Sequence, residues 1–199
     1  MHGRLLAGLA LAGTIAALVA VPAAQAAPHW YKQKKLLTGA PLAVPTGGGL
    51  VLNALGLTIN CQVTDTEEIW NPVGGGAGED LVTAFAFSPC KVTVASSACP
   101  LGPVTVLANG LPWPSQLFST GPPTPEIRDR IEKVRIWFIC VPGTPPDEFE
   151  GTLTPRVGVG KLIFGPGSGT LLDSSSNPMT VSGVDKLKAP PGVVRAKDP

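Results

Sequence analysis

The chain has 199 residues, with 15 basic and 14 acidic side chains and a formal net charge of +1 at pH 7. A balance this close to zero argues against a general binder of nucleic acids or acidic polymers. Charged residues make up 15% of the chain and hydrophobic residues 44%, which excludes an intrinsically disordered chain. The 24 glycines and 22 prolines, placed between short apolar runs, are typical of an all-β domain.

The first 26 residues have the organisation of a cleaved secretory signal peptide. Arg4 precedes an apolar run from Leu5 to Val21, Pro22 ends the run, and Ala24-Gln25-Ala26 is a small-x-small cleavage step. A membrane anchor is the less favoured alternative, because a spanning helix needs about 20 apolar residues and this run is shorter. We therefore expect a secreted, extracellular bacterial protein that begins near Ala27 and has no transmembrane anchor after cleavage.

Composition divides the exported part into three regions. Residues 27–49 form an extended N-terminal arm, residues 50–188 a disulfide-stapled β domain, and residues 189–199 a polar, Pro-rich tail that we expect to be flexible. The exported part is long enough for one domain with a core and is small for two.

Short apolar runs between turn signals predict a series of strands. From Thr58 to Thr64, Ile59, Cys61 and Val63 point to one face and the polar residues to the other, as in a strand with one solvated face. Further strands are predicted at 50–52, 81–87, 91–94, 104–106, 134–140, 152–154, 161–164, 170–172 and 179–181. Strands at this spacing predict a mostly β, single antiparallel sandwich or barrel-like domain.

One stretch has helical signals. Thr124, Pro125 and Glu126 provide a hydroxyl cap, a proline at the first helical position and an acid in the first turn. Ile127, Ile131 and Val134 then share one face at helical spacing. We therefore expect at most one short helix, which must end before the strand at 134–140.

The four cysteines, Cys61, Cys90, Cys99 and Cys140, predict two disulfides in an oxidising compartment. Three pairings are possible, and sequence alone does not decide among them. We favour Cys61 with Cys140, across the core, and Cys90 with Cys99, within one hairpin. Their spacing fits neither a zinc ribbon nor a redox Cys-x-x-Cys motif, so both of these alternatives are disfavoured.

No constellation of catalytic residues stands out. After cleavage His29 is the only histidine, and Gly165 to Gly169 fails the nucleophile-elbow pattern because Pro166 stands where a glycine is needed. Carboxylates for acid–base chemistry are present, but no pair converges in the sequence, and burial statistics favour a solvated surface position for each. These carboxylates are Asp65, Glu67, Glu68, Asp80, Asp147, Glu148 and Glu150.

Residues 75–83 fit one copy of the calcium-binding template G-G-x-G-x-D-x-U-x, with Asp80 as the acid. That template builds an ion site from stacked copies, and the sequence has one copy. The favoured interpretation is a glycine-rich turn before a strand, with calcium at Asp80 as the alternative and no other cofactor expected.

Trp30, Trp70 and Trp113 are the candidate ligand contacts, since each lies in or beside a predicted loop. Exposed loop aromatics stack on sugars or on partner proteins. The competing and favoured interpretation is a plug that closes one end of a sandwich or barrel.

Several motifs resemble a group of secreted actinobacterial proteins to which no activity is assigned. The motifs are His29-Trp30-Tyr31, the Cys61 strand with its Asn71-Pro72 to Gly78 turn, Leu111-Pro112-Trp113-Pro114, 151–155 and 182–187. The resemblance covers most of the exported chain. It implies export and a shared fold, and it implies no catalytic residue.

These observations predict a secreted, non-catalytic β protein that binds or scaffolds in the envelope or extracellular space. A glycan or envelope component is the candidate partner, and nucleic acid is not expected. The alternatives are an extracellular hydrolase that uses carboxylates and a calcium-stabilised module at Asp80.

Overall fold

The computed structural model describes residues 27–96, 99–141, 145–188 and 194–197. The signal peptide predicted at 1–26 lies outside the described residues. The described part forms fifteen β-strands: β1 His29–Lys32, β2 Lys35–Leu36, β3 Leu42–Ala54, β4 Leu57–Trp70, β5 Glu79–Val94, β6 Gly102–Pro103, β7 Thr105–Asn109, β8 Trp113–Ser119, β9 Ile127–Ile139, β10 Asp147–Leu153, β11 Arg156–Gly158, β12 Lys161–Phe164, β13 Thr170–Leu172, β14 Pro178–Leu187 and β15 Val194–Lys197. The expected antiparallel all-β fold is confirmed.

Of the two architectures left open, the structure is the barrel. Eight strands close in the order β3-β4-β5-β8-β9-β11-β12-β14, and β14 pairs back onto β3. A second path from β9 to β14 runs through β10 and β13, while β6 and β7 lengthen the sheet beside β5 and β9. Closure removes free sheet edges, which would otherwise template pairing with other chains.

A separate sheet in the order β15-β1-β2 joins the two ends of the described chain. The first barrel strand begins at Leu42, inside the range assigned to the arm, so the barrel starts earlier than predicted. Residues 194–197, within the predicted tail, form β15 and pair with β1. Both terminal regions therefore contribute ordered structure.

The barrel closes where β3 meets β14, and glycines make this approach possible. A Cβ on Gly48 would overlap the carbonyl oxygen of Val184, and a Cβ on Gly183 would overlap that of Gly49. Gly183 also has a φ of +132°, a backbone conformation that residues with side chains rarely adopt. The two strands are therefore as close as bare backbone allows.

The helical signals at 124–134 do not produce a helix, which agrees with the expectation of at most one: residues 127–139 form strand β9. Asp129 and Ile131 are buried in one phase of the strand, whereas Val134, Ile136 and Phe138 are buried in the other. The phase changes at Lys133, whose φ of 57° marks a bulge opposite the register shift in β10. The bulge separates Ile131 from Val134 by three residues, and this spacing imitates a helical face.

All four cysteines form disulfides, but the favoured pairing is wrong. Cys61 is bonded to Cys90 and Cys99 to Cys140. Cys61 and Cys90 stand directly opposite each other on the paired strands β4 and β5. The long β4–β5 hairpin therefore determines this pair, which leaves Cys99 and Cys140 to join the segments that follow β5 and β9.

We expect Gly48→Ala to lower the free energy of unfolding by at least about 1–3 kcal/mol, because the added methyl overpacks the β3–β14 seam. Gly49→Ala is the matched control, since its Cβ would have no neighbour closer than 3.7 Å. Urea denaturation of both variants measures the difference. Equal losses at the two positions would contradict this account of the seam.

A tryptic map of the unreduced protein tests the pairing. No Lys or Arg lies between Cys61 and Cys90, so both fall in peptide 36–91. We expect this peptide to be released as a separate species with an internal disulfide. Peptide 92–128 is expected to be disulfide-linked to peptide 136–156. The pairing of Cys61 with Cys140 and Cys90 with Cys99 would instead join all three peptides.

Candidate functional site

The barrel interior is layered, because inward-facing residues change character along each strand. On β4 every second residue points inward, and these residues run from Ile59 and Val63 through Asp65 and Glu67 to Ile69. On β8 the inward-facing residues are Trp113, Ser115 and Leu117. The barrel therefore holds a polar layer between two apolar ones.

We call the polar layer the acid layer. It contains five buried carboxyl groups and two buried hydroxyl groups: Asp65, Glu67, Asp80, Asp129, Asp185, Thr46 and Ser115. On one side is the apolar core, which includes Leu50, Ile59, Phe138 and Phe149. On the other side is the cap cluster, formed by Trp30, Val44, Ile69 and Leu117.

No Lys, Arg or His is among the buried polar residues of the described chain, so the acid layer has no basic partner inside the barrel. Buried charges are normally paired or neutralised, because removing an ion from water is costly. Four of the five carboxyl groups also have at least one oxygen without a hydrogen-bond partner in the described structure: Asp65, Asp80, Asp129 and Asp185. The layer must therefore hold protons or attract cations.

Thr46 shows where one proton resides. Its hydroxyl lies within hydrogen-bond distance of Asp65 Oδ1 and, at 2.8 Å, of Asp185 Oδ2. A hydroxyl has one hydrogen to donate, so it satisfies one of these contacts as donor and must accept in the other. Accepting requires a protonated carboxyl group, and Asp65, whose pKa is raised by burial, is the group that carries this proton.

The pKa shifts agree with a proton held beside Thr46. Burial raises the pKa of Asp65 to about 8, with a further contribution from Asp185, while Thr46 and Lys188 oppose the shift. Burial also raises the pKa of Glu67 well above its usual value, and the charges of the surrounding aspartates add to the effect. These two neighbours on β4 therefore carry protons near neutral pH.

Asp80 and Asp129 form the second carboxyl pair. Burial raises the pKa of Asp129 to about 6, opposed by hydrogen bonds from Ser115 and Asp80. Burial and the charge of Asp129 raise the pKa of Asp80 well above its usual value. Ser115 donates a hydrogen bond to Asp129. The pair thus has one carboxyl that ionises first and a second that retains its proton.

A cavity of about 30 Å³ lies between the acid layer and the cap cluster. Thr46, Glu67 and Asp185 line it from the acid layer, and Trp30 lines it from the cap cluster. Lys161 lies at its edge. The volume suits about one or two water molecules.

The three candidate tryptophans have different environments. Trp30 and Trp113 are each 3% exposed, in the cap cluster and the apolar core respectively, whereas Trp70 is partly exposed at the end of β4. The position of Trp30 agrees with the plug interpretation, whereas Trp113 packs on strand β8 inside the apolar core. Ligand contact by any of the three stays a prediction.

The expectation that every carboxylate is solvated is wrong for Asp65, Glu67 and Asp80, which are 2–5% exposed. The alternation at Ile59, Cys61 and Val63 continues unbroken to Asp65 and Glu67, and this phase was the signal that places both acids inside. Glu68, Asp147, Glu148 and Glu150 are not buried. Among them, Glu148 and Glu150 face Arg135 on the barrel exterior.

Two of the five carboxyl groups, Asp129 and Asp185, were not predicted from the sequence, and neither were the two hydroxyl groups, Thr46 and Ser115. Asp129 lies between Ile127 and Ile131, and the helical interpretation of that stretch hid the strand alternation that points it inward. Asp185 lies between Val181 and Leu187 in the same inward phase of β14. For Asp129 the available signal was an apolar residue two positions away on either side, and for Asp185 it was the alternation that runs from Met179 and Val181 to Leu187.

Asp80 is the acid of the calcium template, and it lies in the acid layer at the start of β5. Within the described ranges, no group of three or more His, Cys, Asp or Glu side chains has the arrangement of a metal site. The carboxyl and hydroxyl oxygens of the acid layer are of the type that a hard cation prefers. Calcium at Asp80 stays a prediction.

The acid layer predicts that stability falls as pH rises. Four of its carboxyl groups have raised pKa values in the folded state, from ordinary values of 3.8 and 4.5: Asp65, Glu67, Asp80 and Asp129. The folded protein therefore binds more protons than the unfolded chain between about pH 4 and pH 8, so the free energy of unfolding decreases over that range. Urea denaturation at several pH values measures the slope.

Two neighbouring glutamates on β4 give the matched variants. Glu67→Gln removes an ionisable group from the acid layer and is expected to flatten the slope, whereas Glu68→Gln, whose side chain points away from the layer, is expected to keep it. Wild-type stability that rises between about pH 4 and pH 8 would contradict the assignment of protons to the layer.

Comparison with known proteins assigns no role to this site. No protein-family model, no characterised protein and no solved structure matches this chain. Across the ranges given above, no helix is long and apolar enough to cross a membrane.

Proposed function

We propose that this chain is a secreted, non-catalytic β-barrel protein that binds or scaffolds in the bacterial envelope or extracellular space. Two features support export. The first 26 residues have the order of a signal peptide, and all four cysteines are oxidised in two disulfides, which persist in oxidising compartments. The actinobacterial resemblance is consistent with both.

The observation that carries the non-catalytic assignment is the small volume of the space beside the acid layer. Ligand and substrate pockets measure about 300–1,000 Å³, whereas the cavity beside these carboxyl groups measures about 30 Å³. A sugar ring or a peptide does not fit there. We therefore infer that the carboxyl groups serve the barrel rather than a bound substrate.

The carboxylate hydrolase remains the second candidate, because one specific observation favours it. Asp80 and Asp129 are adjacent acids whose pKa values are raised to different extents, which is the arrangement that supplies a general acid and a general base. This activity would require the barrel to open far enough to admit substrate.

For binding, Trp70 is the contact we propose. It is the one member of the candidate set with a partly exposed ring, and it borders the Asn71–Gly78 turn on the outside of the barrel. The exposed face of an aromatic ring stacks on sugars, which makes an envelope glycan the candidate partner.

The test is a screen of purified residues 27–199 against glycans and cell-envelope fractions. We expect binding, and we expect Trp70→Ala to weaken it at least about tenfold, or 1.4 kcal/mol, with little change in unfolding free energy. Val73→Ala, a fully exposed position in the neighbouring turn, is the surface control.

Absence of binding across the panel would contradict the proposed function. Equal effects of the Trp70 and Val73 substitutions would remove Trp70 as the contact. Cleavage of a bound glycan during the screen would favour the hydrolase instead.

A further inference from the structure

The tryptophan that closes the barrel belongs to a small sheet of its own. Trp30 lies on β1, and in the described residues the sheet β15-β1-β2 shares no strand pairing with the barrel. Trp30 Nε1 donates to the carbonyl oxygen of Glu79 at 3.1 Å, and the Trp30 backbone N–H donates to Asn71 Oδ1 at 2.8 Å. Gly78 N–H donates to the carbonyl oxygen of Pro28 at 2.8 Å. We call the three strands with Trp30 the terminal cap.

The terminal cap and the acid layer are walls of the same small cavity. The Trp30 ring faces a space lined on the other side by Thr46, Glu67 and Asp185. Any water that enters to solvate a new charge on those carboxyl groups must share this space with the ring. Water that hydrates the acid layer therefore lies against the Trp30 ring.

The opposite side of the acid layer is far more firmly held. The apolar core contains most of the buried side chains, together with Cys61, Cys90 and Cys99 of the two disulfides. Its strands β3 and β4 are joined by an uninterrupted antiparallel ladder, and β5 pairs with β4 over most of its length with three register shifts. Segments with few buried contacts open at lower free energy than such a core.

We propose that the acid layer is a proton-dependent latch for the terminal cap: loss of a proton from the layer releases Trp30 while the apolar core stays folded. The shared proton on the Thr46 bridge leaves to solvent as the pH rises. Thr46 then has one hydrogen for two carboxylates, and no buried basic group of the described chain compensates the second charge. Water then enters the cavity, and the Trp30 ring is displaced.

The charged and titratable groups around the latch come from every strand that packs on it. The acids are Asp65 and Glu67 on β4, Asp80 on β5, Asp129 on β9 and Asp185 on β14. The basic or titratable groups are Lys161 on β12, Lys188 after β14 and His29 beside Trp30. The uncharged neighbours are Thr46 on β3, Ser115 on β8, and Val157 and Gly158 on β11. Lys161 and Lys188 are exposed, so solvent screens them. The raised pKa of Asp65, about 8, puts the release in the mildly alkaline range.

Fluorine NMR of protein labelled with 5-fluorotryptophan tests the latch. Trp113 is the internal control, because it is as buried as Trp30 but lies in the apolar core on the far side of Ser115. Substitution of each ring by Phe assigns its resonance. Between about pH 5 and pH 9 we expect the Trp30 signal alone to acquire the solvent isotope shift of an exposed ring.

Three outcomes of the wild-type titration would overturn the proposal. Joint exposure of Trp30 and Trp113 would mean global unfolding, and no exposure of either would mean that the layer is inert. Exposure of Trp30 that calcium reverses at the alkaline end would mean that a cation, rather than a proton, holds the layer.

Variants extend the test to the proton itself. Asp65→Asn removes the carboxyl group that shares the Thr46 proton, and it should keep Trp30 buried at the alkaline end. Glu68→Gln, outside the layer, should leave the wild-type transition unchanged. Retention of the full Trp30 transition in Asp65→Asn would place the trigger elsewhere.

Discussion

The hydrogen of a single threonine hydroxyl lies at the centre of this barrel. Thr46 contacts two buried aspartates, and the three groups are compatible only while a carboxyl group supplies the second hydrogen. The same constraint extends across the layer, where five acids are buried with no base among them. A barrel built in this way is folded as a partly protonated molecule, and its electrostatics cannot be judged from ordinary side-chain pKa values.

The layered interior explains why such a costly arrangement persists in a stable fold. Apolar residues fill both sides of the acid layer, and two disulfides hold the larger side. The glycine seam between β3 and β14 allows the sheet to close tightly around all three layers. The favourable free energy of the apolar core therefore offsets a layer that would be unstable by itself.

Local patterns predicted much of the fold, and their failures have physical causes. Alternation identified the principal strands and the antiparallel all-β class. The bulge at Lys133 broke the alternation on β9 and produced the spacing of a helical face. Cys61 and Cys90 lie almost equally far from the glycine-rich turn, so the hairpin pairs them, but the length of the two strands is not evident from their apolar runs.

The candidate site was harder to predict than the fold, because acids are assigned to the surface by their average behaviour. Asp65 and Glu67 continue an inward alternation that was visible as far as Val63. Local patterns do not show that five barrel strands, β3, β4, β11, β12 and β14, meet around one cavity. That convergence depends on the closure of the barrel, and closure depends on pairing between β14 and β3, which are more than a hundred residues apart in the chain.

The pairing of β1 with β15 has a further consequence for how the molecule is presented. Because these strands are neighbours in one sheet, both ends of the described chain lie at the mouth that Trp30 occupies, while the β3–β4 turn with exposed Leu55 lies at the opposite mouth. A fusion partner or surface tether attached at either terminus would crowd the Trp30 mouth. The same attachment would leave the Leu55 mouth facing away from the fusion partner or surface.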